Sequence, residues 1–432
     1  VLQQMQSLIK KEEQHFIYPK YQDNCISNIP DLLKESFEIY NKSTNKLYNH
    51  ETEKTCIEQN KKIILIIIDG LGYSQFLNQQ KNDPFLTKLT NKGIVRPLTS
   101  VFPSQTTNAL TTLNTGLTPQ EHGLFEYFIY LKNIGIINAL KCERINSKKK
   151  SLIDEDFKPN NLLLSKEKTL HETLNEKGIK TYTHAHITNA FSTCSNIIFR
   201  GSTIKPALNT SDSIAGLRKN IEENKDKTAY FFIHLPTTDT IAHEYGPNSP
   251  QYYTELSNIT YQLHRELIQK LDPKIAKDTL LLLTADHGGV DVDIEKTVYI
   301  PKTALPLQTG KNHEPIAPTG SYREIFLHIK ESKLVETKLW LLKKIGDKAQ
   351  IIETKEAAEK GLFGIGKVSK SFFERAGNLL ILPYGNETIW FEGPNERRIN
   401  YLGQHGGLNR QEMIVPFAVA NLKNLREKTN QH

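Results

Sequence analysis

The chain has 432 residues, 38% hydrophobic and 24% charged, a balance that belongs to globular proteins and excludes a disordered one. This length suits one large α/β domain carrying an insertion better than one small core. The formal net charge of +7 points weakly to an anionic partner, but the lysines are scattered, with no basic stripe or zinc-finger spacing to suggest a nucleic-acid reader.

Residues 1–60 are polar and read as a helical extension, with Leu33, Phe37 and Tyr40 at helical spacing. Lys61 to Ile68 is a short β-branched run, the pattern of a buried parallel strand. Its apolar part, Ile63 to Ile68, is far below the ~20 residues that cross a bilayer, so no transmembrane helix is expected. Further strands are expected at Gly93 to Phe102, Lys180 to Ile187, Ala229 to Leu235 and Thr279 to Thr284, with helices at Leu170 to Lys177 and Tyr252 to Leu271. Lys148-Lys149-Lys150, the longest lysine run, reads as a solvated loop.

From about Thr303 the rhythm changes. Tyr322 to Ile329, Lys333 to Ile345 and Leu379 to Pro383 suggest a small α+β insertion or cap over 303–390, before a last strand, Met413 to Ala420. The expected fold is therefore α/β: a mostly parallel central sheet flanked by helices, built from 61–302 and 391–422, with a polar tail over 423–432.

Cys25, Cys56, Cys142 and Cys194 include no C-x-x-C pair and read as free thiols, with a Cys25–Cys56 bridge left open. The chain starts at Val1 without a charged segment leading into an apolar one. No signal peptide is visible, and the compartment stays open.

The chemistry lies where acids and histidines follow strands. Asp69 directly follows the run 63–68, Asp286-His287 follows 279–284, and Asp239 lies just beyond 229–235. Carboxyl ends of parallel strands share one edge, where ligands bind. Carboxylates gathered there repel one another unless divalent cations are present. Asp239 and His243, four residues apart, share a face if their segment is helical. Mixed Asp and His donors suit zinc best, with manganese or iron as alternatives. Thr106 opens a helix-like stretch, Thr107 to Leu113, that stops at Gly116. A hydroxyl there can be a plain N-cap. It can equally be a nucleophile, with the helix start, Thr107 included, holding a phosphate.

Five motifs occur in one order: Ile66-Ile67-Ile68-Asp69-Gly70; Phe102-Pro103-Ser104-Gln105-Thr106 leading to Thr115-Gly116-Leu117-Thr118-Pro119-Gln120-Glu121-His122-Gly123; Asp239-x-x-x-His243-x-Tyr245-Gly246-Pro247; Thr284-Ala285-Asp286-His287-Gly288; and Gly403-Gln404-His405-Gly406. Together they resemble the alkaline phosphatase superfamily, specifically its type I phosphodiesterase/nucleotide pyrophosphatase branch, over about residues 61–420. The resemblance implies two divalent ions, zinc first among them. Asp69, Thr106, Asp286 and His287 would hold one, and Asp239, His243 and His405 the other. It implies a small phosphate-containing, nucleotide-like substrate cleaved through a phospho-threonine on Thr106.

One position departs from the family pattern. Tyr127 stands where the family carries a phosphate-binding Asn; its hydroxyl can donate the same bond, or its ring can simply pack. His122 belongs to the Pro-x-x-His-Gly turn and reads as structural, His184, His186 and His234 as hydrogen-bonding residues near the crevice, and His171, His264, His313 and His328 as surface or insertion residues. A phosphomonoesterase is the nearest rival reading. A phosphomutase stays open, the absence of a Cys/Ser-x-Pro-x-Arg segment disfavours a sulfatase, and a catalytically silent binding protein would need lost ligands.

Overall fold

The computed structural model describes residues 14–39, 47, 60–132, 134–145, 167–310, 313–366, 368–393, 398 and 400–427. Tyr40, Cys56, Lys148-Lys149-Lys150 and the end of the polar tail lie outside them.

Seven strands make the central sheet: β1 (Lys62–Ile68), β2 (Ile94–Thr99), β3 (Lys180–His186), β4 (Thr203–Ala207), β5 (Ala229–Leu235), β6 (Thr279–Thr284) and β7 (Ile414–Asn421). They lie in the order β2-β7-β6-β1-β5-β3-β4. All pairs are parallel except those of β7, which runs against both neighbours. β1 sits in the middle and is buried at every position. A continuous isoleucine-rich run, rather than an alternating one, is what a strand covered on both faces requires.

Register decides where the carboxyl ends fall. Ile68 of β1 pairs with Leu235 of β5, and Ile67 with Thr284 of β6. Three adjacent strands therefore end level, and the residues just beyond them meet. A two-stranded ladder, Val290–Asp291 against Gly403–Gln404, returns the chain to the same edge.

Some expected elements shift. β2 spans only Ile94–Thr99, since beyond it the backbone turns and Ser100 N–H bonds to Met413 O. The helix expected over Tyr252 to Leu271 is Pro250–Leu263, continued by a π-helical segment, His264–Lys270. β4 was not expected. In the N-terminal region the helix is Ile29–Ser36, with Leu33 buried and Phe37 just beyond its end. After β7 comes a short helix, Leu422–Arg426, with Leu422 and Leu425 buried. Cys25, Cys142 and Cys194 are free buried thiols; Cys56, the other half of the bridge left open above, lies outside the described residues.

Beyond Thr303, a four-stranded sheet in the order Thr319–Gly320, Ile325–Leu327, Leu379–Pro383, Ala349–Glu353 pairs antiparallel throughout, beside the helix Leu334–Ile345. Its strands face two ways. Ile325, Leu327 and Ile381 enter a separate apolar cluster with Leu341. Phe326 points oppositely into the main core, against Phe125 and Phe363, as strand alternation dictates. Among the described residues no helix is long and apolar enough to cross a membrane.

Candidate metal centre

Asp69 follows β1 and Asp286-His287 follow β6. Asp239 and His243 sit on the helix α2 (Thr237–Tyr245) that begins two residues after β5. The i, i+4 spacing puts both on one face, with His243 Nε2 3.3 Å from Asp239 Oδ2. His405 follows the Gly403–Gln404 ladder strand. The structure brings all six ligands expected beside Thr106 into one centre.

Two groups have their donor atoms within 4.8 Å of one another: Asp69, Asp286 and His287; and Asp239, His287 and His405. His287 belongs to both. Nε2 of His405 lies 3.3 Å from Nε2 of His243 and 3.7 Å from Oδ1 of Asp239. The His287 and His405 rings stack with centroids 3.7 Å apart.

The imidazoles are oriented from behind. Nδ1 of His243 is 2.8 Å from Gly403 O, Nδ1 of His287 2.8 Å from Gly288 O, and Nδ1 of His405 2.9 Å from Ser104 O. A carbonyl only accepts, so each Nδ1 carries a proton and each Nε2 faces the acids. The carboxylates are likewise half satisfied. Asp286 Oδ1 accepts from Gly70 N–H (3.1 Å) and His287 N–H (3.0 Å), and Asp69 Oδ2 lies 2.7 Å from His234 Nε2. Asp69 Oδ1 and Asp286 Oδ2 are buried without a hydrogen-bond partner. A buried orphan carboxylate oxygen is costly, and cations directed at these two oxygens would remove that cost.

The electrostatics agree. Burial, reinforced by Asp286 and Asp239, pushes the Asp69 carboxyl well above its usual range. Burial alone would also raise Asp239, but His243 and His405 hold it below its usual value. Burial works against a charged His243, yet Asp239 lifts it to about 9. Burial and neighbouring His287 bring His405 down to about 3. Three carboxylates crowd one buried site, and burial with the neighbouring acids weighs most against a charged Asp69.

Thr106 begins the helix α1 (Thr106–Thr115), and its Oγ1 lies 3.1 Å from His287 Nε2. The preceding Gln105 is extended and caps the helix with no side-chain bond, so the first N–H groups of α1 are uncapped at the end that carries Thr106, an arrangement that favours anions. The helix is almost wholly buried despite four further threonines. Thr111 and Thr115 tolerate this by bonding back to Thr107 O and Thr111 O. Gly116, at φ 78°, ends it. Asn108 Nδ2 donates to Pro103 O at 2.7 Å and so ties the helix to the turn before it.

Thr107 is buried, its hydroxyl without a partner. Tyr127 is half-buried, its ring 4.7 Å from that of Phe128. His184 bonds to Asn220 Nδ2, and His122 is fixed between Thr112 Oγ1 and Leu124 N. His171 is buried rather than on the surface, against Asn114 Oδ1 at 2.9 Å, while His328 lies in the insertion and is buried there. Sequence reasoning gave no role to Gln105 or Glu324, a buried pair bonded at 2.8 Å behind the turn that leads into Thr106. Nothing in residue spacing signals a contact between positions so far apart.

A family model described as type I phosphodiesterase / nucleotide pyrophosphatase matches residues 63–405. Among solved structures, murine ectonucleotide pyrophosphatase / phosphodiesterase 5 superposes with TM-score 0.60 at 19% identity, covering 84% of this chain and 93% of that one. An inactive form of that protein, in complex with AMP, gives 0.61 at 18%, covering 85% and 93%. Phosphonoacetate hydrolase from Sinorhizobium meliloti 1021, in complex with phosphonoformate, gives 0.57 at 14%, covering 85% and 95%. At these identities the structural likeness establishes the shared fold.

Proposed function

Because this chain belongs to the type I phosphodiesterase / nucleotide pyrophosphatase family, a family of phosphoester hydrolases, we propose that it cleaves a phosphodiester or pyrophosphate bond of a small nucleotide-like substrate, with Thr106 as nucleophile. The observation that carries this reading is the common orientation of three histidines. Each spends Nδ1 on a backbone carbonyl and turns Nε2 toward Asp69, Asp239 or Asp286. Arrangements of this kind serve metal ligation, because they fix both tautomer and ring direction.

The donor set fits two divalent ions. Asp69, Asp286, His287 and Thr106 would hold one, and Asp239, His243 and His405 the other, with zinc favoured by the mixture of nitrogen and oxygen donors. Bound there, the ions would lower the pKa of the Thr106 hydroxyl and offset charge on the phosphoryl group.

The residues of this chain supply the rest. Thr106 Oγ1, at the start of α1, attacks phosphorus and forms an Oγ1–P bond as the bond to the leaving oxygen breaks, its hydroxyl proton passing through solvent to the leaving group, giving a phospho-threonine that keeps the substrate's other substituent and a released alcohol or phosphate. Water then attacks the same phosphorus, the Oγ1–P bond breaks, and the threonine hydroxyl is restored. The uncapped N–H groups of α1, Thr107 among them, hold a phosphoryl oxygen through both steps. Tyr127 is the candidate hydroxyl donor in place of the family's Asn.

A panel of bis-aryl phosphate, aryl monophosphate, dinucleotides and nucleoside triphosphates, with and without chelator, tests this. The expected result is chelator-sensitive turnover with diesters or pyrophosphates fastest. A faster monoester rate would make the chain a phosphomonoesterase, and no turnover of any of them by zinc-loaded protein would remove the proposal.

A further inference from the structure

We propose that Glu324, which lies on a hairpin outside the central sheet, is a positioning residue that sets the Thr106 turn and the His405 loop against each other. The inference rests on the reading of Thr106 as nucleophile and of His405 as a ligand.

Glu324 is fully buried, and each of its carboxylate oxygens is engaged. Oε1 accepts from Gln105 Nε2 at 2.8 Å, and Gln105 is the residue before Thr106. Oε2 accepts from Ser321 Oγ at 2.8 Å, and the same hydroxyl lies 3.3 Å from the carbonyl of His405. One side chain thus meets both the nucleophile turn and a ligand loop. Space between them is closed. A Cβ at Gly406 would fall 1.9 Å from Glu324 Oε2 and 2.6 Å from Gln105 Nε2, and Gly406 has φ +122°, so only glycine lets the three segments come this close.

The hairpin is anchored independently. Arg323, beside Glu324, forms a fully buried ion pair with Glu412 at 2.8 and 3.0 Å. Glu412 in turn accepts from Gly407 N–H at 3.0 Å and Asn409 N–H at 3.2 Å. The loop that carries His405 is therefore gripped by neighbouring residues of one turn.

A second carboxyl completes the set. Glu126 is buried, accepts from Tyr127 N–H at 2.9 Å, and lies near enough to Glu324 to raise its carboxyl. Two buried carboxyls this close hold at least one proton between them, and burial lifts Glu126 to about 7. Glu126 thus stands beside Tyr127 and near Glu324, which bonds Gln105, the residue before Thr106. Misplacing a nucleophile by about 1 Å costs on the order of 100-fold in rate, which is why such a set bears on turnover as well as on folding.

The test compares Glu324→Ala, Glu324→Gln and Gln105→Ala in full-length protein, on the fastest substrate of the panel, with zinc affinity measured by competition against a chromophoric chelator. Gln105→Ala cuts the link at a single bond and leaves the carboxyl pair intact. The expectation is a fall in kcat of about tenfold or more with KM within about threefold, and unchanged zinc affinity. Glu324→Ala should lower both kcat and zinc affinity, and Glu324→Gln, which keeps an acceptor for Gln105 and gains a donor for Glu126, should restore both. Wild-type kcat in Gln105→Ala overturns the proposal, and does so even if Glu324→Ala fails to fold. Thr106→Ala runs alongside: turnover surviving there would refute the nucleophile reading itself, a separate failure.

Discussion

Nε2 of His234 stands 2.7 Å from Oδ2 of Asp69, while Oδ1 of the same carboxylate is buried without a hydrogen-bond partner. The histidine comes from β5 and the aspartate from the end of β1, neighbouring strands whose register sets the two side by side. His234 thereby fixes which oxygen of Asp69 is free. Removing such a partner costs about 10- to 100-fold in metal affinity. His234→Ala should weaken zinc binding by that amount in chelator competition, with the fold intact by circular dichroism. Unaltered affinity would show that Asp69 is oriented without it.

Thr106→Ala removes the one hydroxyl placed 3.1 Å from His287 Nε2 and leaves all six Asp and His donors in place. Turnover should drop below detection while zinc content, measured by atomic emission, stays within error of the wild type. Thr106→Ser keeps the oxygen and should retain part of the activity. Full activity in the alanine variant would take Thr106 out of the reaction.

Much of this centre is legible in the sequence because it is local. Asp69 directly follows and Asp286-His287 closely follow short apolar runs such as Ile63 to Ile68 that read as buried strands, and carboxyl ends of parallel strands share one edge. The i, i+4 pair of Asp239 and His243 carries its own geometry. β4 was illegible for a matching reason: Thr203–Ala207 is an edge strand with Lys205 and Pro206, so it lacks the apolar run that marks its neighbours. His171 was misplaced because a polar residue in a short helix looks solvated until its partner, Asn114, is brought to it from 57 positions away. Glu324 was missed likewise: its contacts with Gln105 span 219 positions, and no local pattern encodes them.

Counted along the motif, Tyr127 falls where the resemblance places a phosphate-binding Asn, a phenol in place of an amide. Its backbone is fixed, with N–H on Glu126 and C=O accepting from Ala139 N–H at 2.7 Å, so Tyr127→Phe removes only the hydroxyl. If that hydroxyl meets the phosphoryl group, kcat should fall by about tenfold or more, toward the range seen for lost oxyanion donors. Equal kcat for Phe and Tyr would assign the ring to packing against Phe128.

Acid should loosen the helix that carries Thr106. His122 accepts from Leu124 N–H and bonds to Thr112 Oγ1 at 3.1 Å, and His171 bonds to Asn114 Oδ1 at 2.9 Å, so two buried histidines grip the C-terminal half of α1. Burial holds both near 3, helped at His122 by Arg375 and opposed at His171 by Glu172. An unfolded chain takes up these protons near 6.5 and the folded one does not. Stability from each histidine is therefore complete above about pH 6.5 and is lost as pH falls toward 3, at about 1.4 kcal/mol per unit. By pH 5 each should have surrendered about 2 kcal/mol. His171→Gln retains a donor for Asn114 but cannot titrate. Its urea midpoint should fall less than that of the wild type between pH 7 and pH 5, and parallel losses in the two proteins would refute the assignment.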